Sequence, residues 1–123
     1  MFEVTVEHTF AAAHYLRDYK GKCERLHGHN YRVMVTLRGT ELDKAGMLVD
    51  FTEMKRALKV ILEPFDHYHL NEVEPFTWLN PSAENMAKWF AEKLKDELRL
   101  EVPAEVAEVK VWETEKQAAT YRP

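Results

Sequence analysis

The sequence is poor in the residues that crosslink a protein or interrupt its secondary structure. Its 123 residues include one cysteine, four glycines and five prolines. With Cys23 alone, neither an internal disulfide nor a zinc site made only of cysteines can form. No internal repeat, low-complexity tract or Gly/Ser linker divides the chain, and its length is that of one domain. We therefore expect a single domain over residues 1–123.

A dominant charge and a long apolar run are also missing. Lys and Arg number 17 and Asp and Glu 21, so the net charge is −4. This balance excludes the strongly basic surface of a general DNA- or RNA-binding protein. No apolar run approaches the roughly 20 residues that cross a bilayer, and the N-terminal MFEVTVEHTF lacks the basic patch and apolar block of a signal peptide. We expect a soluble cytoplasmic protein without nucleic-acid or membrane partners.

Polar and apolar residues alternate in the parts of the chain that we predict to be strands. Alternation with period two is typical of a strand with one buried face. It occurs in four segments: 2–10, 27–38, 105–113 and 118–121. The polar segment 15–26 and the segment 64–80 are predicted to be loops.

Two stretches have apolar residues at helical spacing. The first follows Asp50, a suitable N-cap, and stops before Pro64. The second predicts a helix with Asn80 as its cap and Pro81 at its first position. The element order indicates an α+β fold, an antiparallel four-stranded sheet with two helices inserted in the middle. Because such a sheet has two open edges, we expect a homo-oligomer.

The most specific local pattern is His27-Gly28-His29. Residues i and i+2 of a strand point to the same side, so both imidazoles project from one face. His14 follows the first predicted strand and converges with this pair if the two strands form a hairpin. Three histidines with an open fourth position are typical of catalytic zinc. The alternative for the pair alone is two exposed strand histidines.

Cys23 lies four residues before His27, in the predicted loop 15–26. It is either a fourth zinc ligand, which closes the site, or a thiolate beside an open zinc, where the cation lowers the thiol pKa. Sequence spacing leaves both roles open.

Six segments together resemble the 6-pyruvoyl-tetrahydropterin synthase family, and most closely its 6-carboxy-tetrahydropterin synthase branch. The segments cover nearly the whole chain and occur in the family's order: FAAAH, CERLHGHNY, LVDFTEMK, FDHYHLN, NPSAENMA and VWET. The three residues between Cys23 and HGH match the carboxy-forming branch, whereas the animal enzymes carry a longer insertion. The resemblance implies the tunnelling fold, in which strands of several subunits close a barrel with the helices outside.

The resemblance also implies a metal and a nucleophile. His14, His27 and His29 would hold one Zn²⁺ per subunit. Cys23 would be the catalytic thiolate that moves protons on the substrate side chain. The assembly implied is a homohexamer of two trimers, with sites at subunit interfaces.

Four further residues receive implied roles, each with a simpler alternative. Asp66 and His67 would form a relay that reaches Cys23 from a neighbouring subunit, although such a dipeptide is commonly a turn with a surface histidine. Glu113 would anchor the pterin ring and take part in proton transfer; without the family it would be a solvated charge. Glu84 would bind substrate, or simply favour the dipole at the start of its helix.

Glu24 gives the segment a second interpretation. CExxHGH resembles a subgroup in which either the cysteine or a glutamate acts, the glutamate in cleavage to 6-hydroxymethyl-7,8-dihydropterin for folate. Glu24 is equally well a surface residue. His8 and His69 match no motif and are expected to be structural or exposed.

The implied activity is that of a zinc-dependent lyase. It would convert 7,8-dihydroneopterin triphosphate into 6-carboxy-5,6,7,8-tetrahydropterin, acetaldehyde and triphosphate, a step toward queuosine-type deazapurines. Two further alternatives are 6-pyruvoyl-tetrahydropterin synthase activity and a zinc hydrolase that uses only the three histidines and water. A pterin- or zinc-binding module without catalysis is the non-enzymatic one.

Overall fold

A computed structural model describes residues 1–123 as a five-stranded sheet with two helices against one face. The strand order is β3-β1-β2-β4-β5. The α+β class and the two helices are confirmed. The elements are β1 Phe2–His14, β2 His27–Gly39, α1 Phe51–Leu62, β3 Tyr68–His69, α2 Ala83–Glu97, β4 Glu105–Thr114 and β5 Gln117–Tyr121, with one 3₁₀ turn at Leu70–Glu72.

The sheet differs from the prediction in strand number and direction. The segment 64–80, predicted to be a loop, contains β3, which pairs in parallel with Ala12 and Ala13 of β1. The prediction of four strands, all antiparallel, was therefore wrong. Two residues are too few to show an alternating pattern, and β3 forms because the preceding residues bind the edge of β1 at Ala11.

The register of β1 and β2 determines what each face of the sheet carries. The two strands are antiparallel over their whole length, from Phe2 opposite Gly39 to His14 opposite His27. Residues directly opposite one another point to the same side. One face buries apolar side chains against the helices, among them Phe10, Tyr31 and Val33. The other face carries mostly polar residues.

The two helix starts test the predicted caps. Asp50 is the N-cap of α1, because its side chain accepts a hydrogen bond from the amide of Thr52 at 2.8 Å. The cap predicted for α2 was wrong: Ser82 caps this helix by accepting from the amide of Asn85. Asn80 is not available because its amide group binds the backbone of Arg17.

Both edges of the sheet remain largely open. β3 covers β1 only at residues 12–13, and β5 has no neighbour on its outer side. The backbone amides and carbonyls that point outward from residues 2–10 and from β5 therefore lack a strand partner within the chain. No helix has the length and apolar character needed to cross a membrane.

Candidate metal and active site

The ends of β1 and β2 bring His14, His27 and His29 together. His14 lies directly opposite His27, and His29 follows on the same face. One ring nitrogen from each residue lies within 4.8 Å of the others, and the Nε2 atoms of His14 and His27 are 3.2 Å apart. The prediction that the three histidines converge depended on a hairpin between the two strands, and β1 and β2 form that hairpin. We call these three residues the histidine cluster.

Backbone carbonyls determine which nitrogens of the cluster are free. The Nδ1 of His14 lies 2.8 Å from the carbonyl of Pro81, and that of His27 lies 2.8 Å from the carbonyl of Arg25. A carbonyl only accepts, so both Nδ1 atoms carry the proton and both Nε2 atoms present lone pairs. The buried Nε2 of His29 has no hydrogen-bond partner.

The cluster fits a divalent metal ion. Lone pairs that converge without a donor repel one another, and a cation removes that repulsion. At the zinc–nitrogen distance of about 2.0–2.1 Å, two ligands of a tetrahedral ion lie about 3.3 Å apart, close to the 3.2 Å between two of these nitrogens. Three histidines leave a fourth position open to water or substrate.

Burial keeps His14 and His29 in the form that binds a metal. It lowers the pKa of His14 and of His29 below the ordinary value. The Pro81 carbonyl and the Glu113 carboxylate oppose this by raising the pKa of His14, and the charges of His27 and His29 lower it further. Neutral imidazole is the form that ligates a metal.

Cys23 and Glu24 lie in the loop that leads into β2. Cys23 is exposed, and its sulfur is not among the ligand atoms that converge. Glu24 is tethered: its carboxylate accepts from the amide of Leu16 at 3.3 Å and lies 3.7 Å from the Nδ1 of His27. The structure therefore places the Glu24 carboxylate beside His27, and Cys23 is the residue before Glu24 in the same loop.

Asp66 and His67 form a bound pair on the edge of β1. Asp66 Oδ1 accepts from the amide of Ala11 at 3.0 Å and lies 2.9 Å from the Nδ1 of His67, whose own amide donates to the carbonyl of Ala11. His67 has a φ of 66°, a left-handed conformation that is uncommon for a residue with a side chain. Its Nε2 is free, and its side chain is 80% exposed.

Within one chain, this pair and Cys23 are not brought together. His67 lines a groove of about 510 Å³, and the cluster residue His29 also lines it. Ala11, Ala13 and Gly28 of the same groove lie on the sheet face opposite the one that carries the cluster side chains. Cys23 does not line this groove. We call it the alanine groove.

Glu113 lies on the other side of the histidine cluster. It sits in β4 where the register with β5 shifts, and its Oε1 is 4.0 Å from the Nε2 of His14. Glu113 and Glu84 both line a cavity of about 180 Å³, together with Gln117 and small residues. Glu84 itself is exposed in the first turn of α2.

Sequence reasoning missed the groups that surround the cluster. The carbonyls of Pro81 and Arg25 are backbone atoms and have no signature in the sequence. Tyr31 is fully buried and packs edge-on against His14 and His29, with no hydrogen-bond partner for its hydroxyl. The alternation of β2 places Tyr31 on the face of His29, so that signal was present.

Comparison with known proteins places this chain among pterin enzymes. The family model described as 6-pyruvoyl tetrahydropterin synthase matches residues 3–123. The chain is 35% identical over 128 residues to 6-carboxy-5,6,7,8-tetrahydropterin synthase of Bacillus subtilis, covering 99% of this chain and 86% of that protein. It is 35% identical over 133 residues to 6-pyruvoyl tetrahydrobiopterin synthase of Drosophila melanogaster, covering 97% and 78% respectively.

A solved structure agrees. The Caenorhabditis elegans 6-pyruvoyl tetrahydropterin synthase superposes with a TM-score of 0.81 at 32% identity, covering 100% of this chain and 97% of that one.

Proposed function

Because the chain belongs to the 6-pyruvoyl tetrahydropterin synthase family, a family of enzymes, we propose that it is a zinc-dependent lyase. Its substrate would be 7,8-dihydroneopterin triphosphate, and its products 6-carboxy-5,6,7,8-tetrahydropterin, acetaldehyde and triphosphate. Relatives carry both the carboxy and the pyruvoyl names. The short CERLHGH spacing supports the carboxy reaction, which leads toward queuosine-type deazapurines.

The observation that carries the proposal is the convergence of three histidine ring nitrogens within 4.8 Å of one another. His14, His27 and His29 would hold one Zn²⁺ per chain. A bound zinc ion supplies Lewis acidity, which polarises the hydroxyl and carbonyl oxygens of a substrate side chain. Because no fourth protein ligand converges on these nitrogens, one position remains for those oxygens.

Proton transfer is assigned to Cys23, His67 and Asp66. Asp66 binds the Nδ1 of His67, so the exposed Nε2 of His67 accepts and returns protons. The left-handed backbone of His67, fixed by two hydrogen bonds to Ala11, is the kind of outlier that occurs at functional sites. In one chain the pair faces the alanine groove rather than Cys23, which supports a relay supplied by a neighbouring subunit.

The pterin ring is assigned to the cavity that Glu113 and Glu84 line. A carboxylate accepts two hydrogen bonds from adjacent N–H groups, as the guanine-like edge of a pterin offers. Glu113 lies within 4.0 Å of His14, so a ring bound there places its side chain at the cluster. Glu113 would also take part in proton transfer, and Glu84 would make a secondary contact.

The two open edges of the sheet support assembly with copies of the same chain. Pairing of these edges removes unpaired backbone groups and closes a barrel. We propose that the single domain of residues 1–123 forms a homohexamer of two trimers with sites at subunit interfaces, in the cytoplasm.

The position of Glu24 supports a second possible product. The Glu24 carboxylate is tethered 3.7 Å from His27, next to Cys23. From this position it would act in place of the thiol and yield 6-hydroxymethyl-7,8-dihydropterin for folate.

Product analysis distinguishes these functions. The zinc-loaded protein, Cys23→Ala and Glu24→Gln are each incubated with 7,8-dihydroneopterin triphosphate, and products are resolved by mass spectrometry. We expect a 6-carboxy product that disappears in Cys23→Ala and persists in Glu24→Gln. A hydroxymethyl product that survives Cys23→Ala and is lost in Glu24→Gln would assign the folate reaction instead. Pterin binding without turnover, at full zinc occupancy, would leave a binding protein.

A further inference from the structure

The chain leaves β1 through residues 15–17, which we call the exit segment. It begins directly after His14 and leads into the loop that carries Cys23. Glu24 binds one edge of this segment through two hydrogen bonds to Leu16. Its carboxylate accepts from the amide of Leu16, and its backbone amide donates to the carbonyl of Leu16 at 2.9 Å. Tyr15 and Arg17, on either side of Leu16, bind partners on the other edge of the segment through their main-chain groups.

Two asparagine side chains bind that other edge. Asn71 Oδ1 accepts from the amide of Tyr15 at 3.0 Å, and Asn71 Nδ2 donates to the carbonyl of Tyr15 at 2.9 Å. Asn80 makes the same pair of bonds with Arg17, at 2.8 and 3.0 Å. Each amide side chain thus takes the place of a neighbouring strand. The side-chain amide of asparagine carries an NH₂ donor and a carbonyl acceptor on one carbon, which matches the amide and carbonyl of a single residue.

Both asparagines are themselves held in place. Asn71 is 6% exposed and lies in the 3₁₀ turn after β3. The carbonyl of Asn80 accepts from the side chain of Asn85 at 2.9 Å and from the amide of Ser82 at 2.8 Å. The residue after Asn80 is Pro81, whose carbonyl binds the Nδ1 of His14. The start of α2 is thus tied both to the exit segment and to a cluster imidazole.

We propose that Asn71 and Asn80 are positioning residues of the metal centre. They fix the exit segment, and with it the position of His14 relative to His27 and His29, without touching the ion. This inference rests on the proposed metal binding by the histidine cluster. Asn80 has the larger effect because its neighbour Pro81 also sets the ring orientation of His14.

Substitution by aspartate tests the role with the smallest change in shape. In Asn80→Asp and Asn71→Asp a carboxylate oxygen replaces the donating Nδ2 and faces a carbonyl oxygen, so one hydrogen bond becomes a repulsion. Loss of partners that orient metal ligands costs typically about 10–100-fold in metal affinity. We expect a loss in this range for Asn80→Asp and a smaller one for Asn71→Asp.

The readouts are Zn²⁺ affinity, by competition with a chelator, and the visible spectrum of the Co²⁺-loaded protein, which reports coordination geometry. Arg56→Ala is the control, since it removes ion pairs to Glu53 and Glu97 and leaves the exit segment untouched. It is expected to lower the melting temperature with no change in affinity or spectrum. If an aspartate variant does not fold, Asn80→Ala replaces it, since water reaches this half-buried position.

Each outcome has a distinct meaning. Weaker metal binding with an altered Co²⁺ spectrum in the asparagine variants, and not in Arg56→Ala, supports the positioning role. Lower melting temperatures with unchanged affinity and spectrum would show that the asparagines only stabilise the fold, and would overturn the inference. A wild-type protein that binds neither Zn²⁺ nor Co²⁺ would overturn the metal centre itself and the positioning role with it.

Discussion

The histidine cluster and the residues proposed to move protons are built in different ways. The cluster lies at the end of a continuous hairpin, where strand register aligns the imidazoles and backbone carbonyls orient two of them. His14 is 1% exposed. Cys23 and His67 instead lie outside the long strands, and the side chain of His67 is 80% exposed.

This difference separates what one chain can do from what an assembly can do. A metal site that depends on local register needs no partner. The proposed relay, whose histidine lines a groove that Cys23 does not line, is expected to need a second copy to complete it. Metal binding and turnover are therefore expected to respond differently to mutation and to dissociation of the assembly.

The largest effect is expected in the histidine cluster. His29→Ala removes one of the three proposed ligands, so metal affinity is expected to fall by more than the roughly 10–100-fold that loss of an orienting partner costs, and turnover is expected to be lost. Zn²⁺ content after dialysis against a chelator measures this. His8→Ala is the control, because His8 is an exposed histidine on the same face of β1. An unchanged Zn²⁺ content in His29→Ala would place the ion elsewhere.

The next effect concerns the relay. Cys23→Ala and His67→Ala are each expected to lower kcat by about 10²–10⁴-fold while Zn²⁺ content stays at the wild-type level. If the site combines Cys23 of one chain with His67 of another, refolding an equal mixture of the two variants restores about a quarter of the sites. Activity measured before and after mixing provides the comparison.

No recovery on mixing, with assemblies of mixed composition verified by mass spectrometry, would place both residues in one chain's own site. That result would remove the distinction between the two regions.

A smaller effect is expected at the pterin cavity. Glu113→Gln weakens charge-assisted hydrogen bonds worth about 1.5–3 kcal/mol each, which corresponds to an increase in KM of roughly 10–100-fold. Pterin binding by fluorescence titration checks it. Glu84→Gln, at the exposed rim of the same cavity, is expected to change KM much less. Equal effects of the two substitutions would argue against Glu113 as the anchor.

The smallest effect lies far from both regions, where Arg56 joins α1 to the end of α2. Hydrogen bonds from Arg56 lower the pKa of Glu53 from 4.5 to about 2. Because the folded-state pKa is below the unfolded value, this stabilisation is complete above pH 4.5 and is lost as the pH falls toward 2.

Glu53→Gln is therefore expected to lower the melting temperature at neutral pH and to flatten its fall between pH 4.5 and 2. Melting curves across that range measure the effect. Glu101→Gln is the control, since Glu101 is exposed and makes no ion pair. If the melting temperature of Glu53→Gln falls as steeply with decreasing pH as that of the wild type, other carboxylates are responsible for the acid sensitivity.

The sequence contained enough to predict the long elements and the convergence of the histidines. Alternation over nine or more residues fixes which face a side chain occupies, so HxH and the histidine after AAA fall on one side. Apolar residues at helical spacing predicted α1, and Asp50 was correctly predicted to be its N-cap.

Short and non-local features were not predictable in the same way. β3 has two residues and exists only because the Asp66–His67 pair binds Ala11. Asn80 followed by proline is a typical helix start, but its amide binds Arg17, 63 residues away, and Ser82 caps the helix. A local rule predicts the cap only when no distant partner competes for the side chain.

The uneven exposure of the histidine cluster determines how an ion reaches it. His14 is closed off behind Tyr31 and the start of α2, whereas the side chain of His27 is 37% exposed. An ion held by the three histidines is therefore expected to enter and leave past His27, on the side of Glu24, and not past His14.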